Sequence, residues 1–211
     1  MGHSAACRYS IRLGCIHHVY DVSQSSFDPG VKNQGWWSEE TDATDDNANY
    51  VVMGPDGNAF RNFFTFDLSR LSGTVDTATL RLTRFGFSGG AVKTIEFFDV
   101  STPADEVNAN VGLNSAIFAD LGSGTSYGSF DITGPDNYDD VLEFQLNPAA
   151  LTDIMSAHGY FTIGGTLISN DGGGSVFAGS NSGGVQELVL TGNLDEPGDA
   201  NGDARLTELT T

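Results

Sequence analysis

Between Thr77 and Thr83 apolar and polar residues alternate one for one, with Ala78, Leu80 and Leu82 on one side of an extended chain and Thr79, Arg81 and Thr83 on the other. A period of two fits a β-strand with one face buried and one face wet. The pattern returns at Val141 to Leu146, where Leu142, Phe144 and Leu146 oppose Glu143 and Gln145. It returns again where Gln186, Leu188 and Leu190 interleave with Val185, Glu187 and Val189. That last run is apolar on both faces for part of its length, which places it centrally in a sheet.

Further strands are expected at Ile16 to Val22, Tyr50 to Met53, Phe60 to Leu68, Thr94 to Val100, Tyr160 to Ile168 and Val176 to Gly179, giving about nine. Gly, Asn, Asp and Ser punctuate these runs, and the 27 glycines supply many of the turns. Asn147-Pro148 opens one helix, since Asn caps and Pro fits the first helical position; Leu151, Ile154 and Met155 form its apolar stripe and Gly159 its stop. A second short helical turn is expected over Asn114 to Leu121. Short, evenly spaced strands with glycine-rich turns predict an all-β fold, a two-sheet antiparallel β-sandwich of jelly-roll type with one or two short helices. With 39% hydrophobic residues, 14 phenylalanines and 6 tyrosines, the chain can fill one sizeable core. The expected organisation is an atypical leader over 1–15, the sandwich over 16–192, and an acidic linker and tail over 193–211.

Three stretches carry a family resemblance: Asn49-Tyr50-Val51-Val52, then Arg61 to Ser69 (Arg-Asn-Phe-Phe-Thr-Phe-Asp-Leu-Ser), then Val75 to Leu82 (Val-Asp-Thr-Ala-Thr-Leu-Arg-Leu). Together they resemble the DNRLRE-type β-sandwich modules of secreted bacterial and archaeal proteins. Phe98 to Pro103 and Leu121 to Gly128 are similar to segments of PEP-CTERM-sorted surface proteins. The resemblance spans roughly Tyr20 to Gly192 and leaves residues 1–15 unmatched. It implies a secreted or cell-surface accessory module like the carbohydrate-binding modules, with polysaccharide, including alginate in some relatives, as partner. In the tail, Gly198-Asp199-Ala200-Asn201-Gly202-Asp203 resembles the start of a dockerin calcium loop, with Asp199, Asn201 and Asp203 at the first three ligand positions. Ala204 and Thr210 depart from that pattern, replacing a turn glycine and the closing carboxylate.

Candidate sites are few. Trp36-Trp37 is a strand dipeptide whose side chains point to opposite faces, so at most one enters a core. The other suits stacking on a sugar ring, with Tyr50 as a weaker third carbohydrate-binding candidate. Glu39, Glu40, Asp42, Asp45 and Asp46 place five carboxylates within eight residues, a donor set for calcium or else a solvated acidic loop. Asp56 and Asn58 read as turn formers. Asp67, Asp99, Glu143 and Glu187 lie in or beside strands, where a polysaccharide-cleaving acid pair and plain outward residues look alike. Transition-metal spacings, nucleophile elbows and phosphate loops are absent from the sequence.

The 28 acidic and 9 basic residues give a net charge of -19, which argues against nucleic acid and against anionic membrane surfaces. No apolar run reaches the roughly 20 residues that span a bilayer, and Arg8 and Arg12 interrupt the segment where a signal core would stand. The leading expectation is a secreted, calcium-stabilised, non-catalytic polysaccharide binder. The alternatives are a surface or matrix protein that self-associates through its sheet edges, and a glycoside hydrolase or lyase.

Overall fold

The computed structural model describes residues 16–21, 33–44, 49–54, 58–134, 138–170, 173–180 and 184–194. The described residues form a two-sheet antiparallel β-sandwich, with twelve strands and three short helices among them. The strands are β1 (Ile16–Asp21), β2 (Gln34–Ser38), β3 (Val52–Met53), β4 (Phe60–Asp67), β5 (Gly73–Thr83), β6 (Gly86–Phe87), β7 (Val92–Asp99), β8 (Ser126–Thr133), β9 (Val141–Gln145), β10 (Tyr160–Asn170), β11 (Ser175–Ala178) and β12 (Gln186–Leu194). The helices are α1 (Ala104–Ala109), α2 (Ser115–Asp120) and α3 (Pro148–Ser156).

The smaller sheet runs β1-β12-β5-β9, and the larger runs β6-β11-β3-β4-β10-β7-β8 with β2 also paired to β4. The alternating strands behave as their pattern requires. Ala78, Leu80 and Leu82 of β5 are fully buried, as are Leu188 and Leu190 of β12, which lies between β1 and β5. They pack with Phe144 and Leu146 against Phe64, Phe66, Ile95, Phe97 and Ile163 of the larger sheet. Each of the leucine, isoleucine and phenylalanine side chains contributes about 1.5–3 kcal/mol by leaving water. On the wet face of the small sheet, Arg81 stands in register between Glu143 and Glu187 and bonds both, at 3.2 and 2.6 Å.

The larger sheet is covered on its outer face as well. Phe63 of β4 joins Trp37, Ala43, Val107, Ile117, Phe118 and Leu121 in a second apolar layer beneath α1 and α2. Two adjacent glycines in β10 make this possible. A Cβ on Gly164 would lie 2.6 Å from the Leu121 carbonyl oxygen, so only glycine lets α2 settle on the sheet.

Several boundaries differ from the sequence expectation. β12 continues two residues past Gly192, because Asn193 and Leu194 pair with Thr74 and Gly73 and Leu194 is buried. In α3, Asn147 caps Ala149 and Ala150 as expected, yet the buried stripe is Ala150 and Ile154 while Met155 is exposed, and the helix ends at Ala157 rather than Gly159. α1, β2, β6 and β8 are additional elements. Among the described residues, no helix is long and apolar enough to cross a membrane.

Candidate functional site

β2 is laid along the edge of β4 with Trp36 opposite Asn62, Trp37 opposite Arg61 and Ser38 opposite Phe60. The alternation of side chains therefore separates the two indoles. Trp37 turns inward under α1, 2% exposed, and its Nε1 donates to the Val107 carbonyl at 3.0 Å. It is a structural anchor, closed to a ligand. Trp36 remains half-buried and stands edge-on to Phe60, with ring centroids 4.5 Å apart and planes at 71°. Its backbone is fixed because Asn110, the left-handed residue that ends α1, donates from Nδ2 to the Trp36 carbonyl at 2.8 Å.

Ser38, the strand partner of Phe60, is buried and anchors a polar network at this end of β2. Ser38 Oγ accepts from the backbone N–H groups of Glu40 and Thr41 at 3.2 and 3.3 Å, forming the turn that leaves β2. The same hydroxyl donates to Asn58 Oδ1, and Asn58 Nδ2 donates to Thr41 Oγ1. Asn58 is thus more than a turn former: it ties the start of β4 to the loop after β2. Glu39, Glu40 and Asp42 are all exposed on that loop. On the other face of the sheet Arg61 lies 4.2 Å over the Phe118 ring and donates to the carbonyls of Phe118 and Ala119 at 2.7 and 3.2 Å. Burial lowers the pKa of its guanidinium, with Glu39 acting in the opposite sense.

Tyr50 does not belong to this surface. It is fully buried, packed 5.2 Å from Phe64 and 5.4 Å from Phe177, and its hydroxyl donates to the Thr83 carbonyl at 2.9 Å. Burial raises its pKa most, with Tyr138 adding to the rise and a hydrogen bond from Gln186 opposing it. The neighbouring Val51-Val52 was the signal for an interior position, since an aromatic beside a short apolar run at a strand start packs inward. Tyr50 pins the end of the sandwich, and the backbone there is strained: Phe85 and Phe177, both packed on its ring, have φ of 51° and 62°.

Of the expected calcium ligands, Asp45, Asp46, Asp199, Asn201 and Asp203 lie outside the described residues. Glu39, Glu40 and Asp42 are described, and no three His, Cys, Asp or Glu side chains among the described residues converge on a common point. The strand acids each have a local structural bond. Asp67 accepts from the Ser69 N–H at 2.9 Å, Asp99 from the Thr125 N–H at 2.5 Å, and Glu143 and Glu187 from Arg81. The site residues that sequence reasoning missed are Phe60, Asn58 and Asn110. Phe60 was legible as a strand residue, but its seat beside Trp36 depends on the pairing of β2 with β4.

No protein-family model matches this chain, and no curated protein matches it.

Proposed function

We propose that the chain is a non-catalytic, extracellular polysaccharide-binding module whose contact residue is Trp36. The observation that carries this reading is the half-buried indole of Trp36 braced edge-on against Phe60, on a backbone held by Asn110 and beside hydroxyl and amide groups. An aromatic face that is partly wet and rigidly seated offers a sugar ring a stacking surface with little ordering left to do. Trp37 and Tyr50, the other two aromatic candidates, act through the fold that presents Trp36.

Calcium remains part of the proposal through the loop that begins at Glu39, where Glu39, Glu40 and Asp42 would need Asp45 and Asp46 to reach the six or more oxygens the ion takes. Affinity electrophoresis of the full chain through neutral, cationic and anionic polysaccharides, with calcium or with a chelator, tests both parts. Retardation that Trp36→Ala abolishes supports the binding role, and retardation that a chelator weakens supports the ion. A second reading, self-association, draws on the sheet ends. β1 and β9 close the small sheet and β6 and β8 the large one, with no described strand beyond them.

A further inference from the structure

Tyr138, just ahead of β9, is a second aromatic side chain that the fold leaves wet, at 50% exposed. Its ring stands edge-on to the buried Phe85, with centroids 5.1 Å apart and planes at 82°. Its hydroxyl donates to the Gly179 carbonyl at a long 3.4 Å, and Gly179 leaves the room for it, since a Cβ there would lie 2.8 Å from that hydroxyl. The backbone beneath is tied as well. The Phe85 N–H donates to the Tyr138 carbonyl and the Arg84 N–H to the Asp140 carbonyl, both at 2.8 Å. Phe85 holds φ 51° in making its bond, a left-handed conformation costly for a phenylalanine, and strain of that kind collects at functional sites.

Tyr138 and Trp36 brace on one buried residue. Phe85 is 6.0 Å from the Tyr50 ring, so Tyr138, at 5.1 Å from Phe85, lies within about 11 Å of Tyr50. Trp36 reaches Tyr50 by another route: Asn62, its cross-strand partner, donates from Nδ2 to the Tyr50 carbonyl at 3.0 Å. Both rings therefore belong to the end of the sandwich that Tyr50 pins. Resting on the reading of Trp36 as a glycan platform, we infer that Tyr138 is a second stacking contact for the same polysaccharide chain. The ligand is then a run of several sugars within a polymer, not a terminal residue. One sugar lies on Trp36 and another, further along, on Tyr138, and both rings are seated before the chain arrives. Joining two weak contacts through one chain makes the second contact intramolecular and raises the affinity of the whole.

The test is isothermal titration of the full chain with di- to octasaccharides of glucose, mannose, xylose, N-acetylglucosamine and a uronic acid. The expected result is an affinity that climbs with chain length by roughly three- to tenfold once both rings are reached, as one added contact of aromatic-pair strength gives. Tyr138→Leu keeps an apolar cover over Phe85 and removes the flat face. It should bind the disaccharide as the wild type does and lose the gain on longer chains, whereas Tyr138→Phe should retain that gain. Trp36→Ala should abolish binding at every length. A length gain that survives Tyr138→Leu overturns the inference and leaves the Trp36 platform standing, and so does an affinity already complete at the disaccharide. Equal weakening by Tyr138→Leu at every length marks a purely structural residue and overturns it too. If Tyr138→Leu fails to fold, Tyr138→Trp takes its place: the larger face should strengthen octasaccharide binding with the disaccharide unchanged, and an unmoved octasaccharide affinity overturns the inference. Silence on all the sugars removes the platform and the inference together.

Discussion

Asn110 holds two jobs in one side chain. Its backbone takes the left-handed turn that ends α1, at φ 44°, and its amide fixes the carbonyl of Trp36 at 2.8 Å. Asparagine tolerates this conformation where most residues with a Cβ pay about 1–2 kcal/mol. Asn110→Ala should therefore destabilise the protein by about 2 kcal/mol, from the strained backbone plus the lost hydrogen bond. Asn110→Gly should lose only the bond, about 1 kcal/mol, when both are measured by urea unfolding. An equal loss in the two variants would remove the backbone part of the explanation. At this scale the sequence was half legible. The alternation of a strand announced that Trp36 and Trp37 diverge, but which indole is covered depends on α1, whose carbonyl at Val107 receives Trp37 from seventy residues away.

The glycine pair in β10 shows how an element is shaped by what lies on either side of it. Gly164 admits the end of α2 on the outer face, and Gly165 makes room on the inner face for Asn62 and Phe97. A methyl group on Gly164 has backbone at 2.6 and 2.7 Å, which cannot rotate away. Gly164→Ala should cost about 1–3 kcal/mol as an overpacked site, and near-ultraviolet circular dichroism should report loosened aromatic packing. Unchanged stability would mean that α2 is not seated as described. Strands with clean alternation, β5 and β9, were readable from the sequence, as was α3 with its Asn147-Pro148 start. β8 was not, because Gly128 at φ 137° sits at a register shift against β7 and breaks the period. α1 was hidden for a different reason: Pro103 precedes it without a side-chain cap and Val107 is its one buried apolar residue, so no stripe repeats.

Across the whole molecule, both sheets are assembled largely from strands distant in sequence, with β3–β4 and β7–β8 the neighbouring pairs on the two strand paths. Such pairings close late, so folding should be slow for the chain's size. The core also carries a pH signature. Burial, with Asp67 adding to it, pushes the Tyr20 hydroxyl up to about 12; Tyr50 and Tyr127 are raised too, chiefly by burial. Because the folded pKa values lie above the unfolded value near 10, this stability is complete below pH 10 or so and is lost as pH rises through the folded values. Alkaline unfolding should accordingly accompany ionisation of these three tyrosines in an ultraviolet absorbance titration, and a smooth titration of all six near pH 10 in a folded protein would contradict it.

The net charge of -19 becomes more specific once the fold is known, since four of the five described cations are tied into it, Arg84 and Lys93 by burial and Arg61 and Arg81 by bonds to neighbouring elements. On the proposed reading, what the described residues offer a partner is the half-buried indole of Trp36 set edge-on against Phe60. The most direct test of that account is affinity electrophoresis of the wild-type chain beside Trp36→Ala, with circular dichroism confirming that both are folded. The account predicts retardation of the wild type by at least one polysaccharide and its loss in the variant. A wild type that runs unretarded through every polymer, or a variant retarded equally, would contradict it.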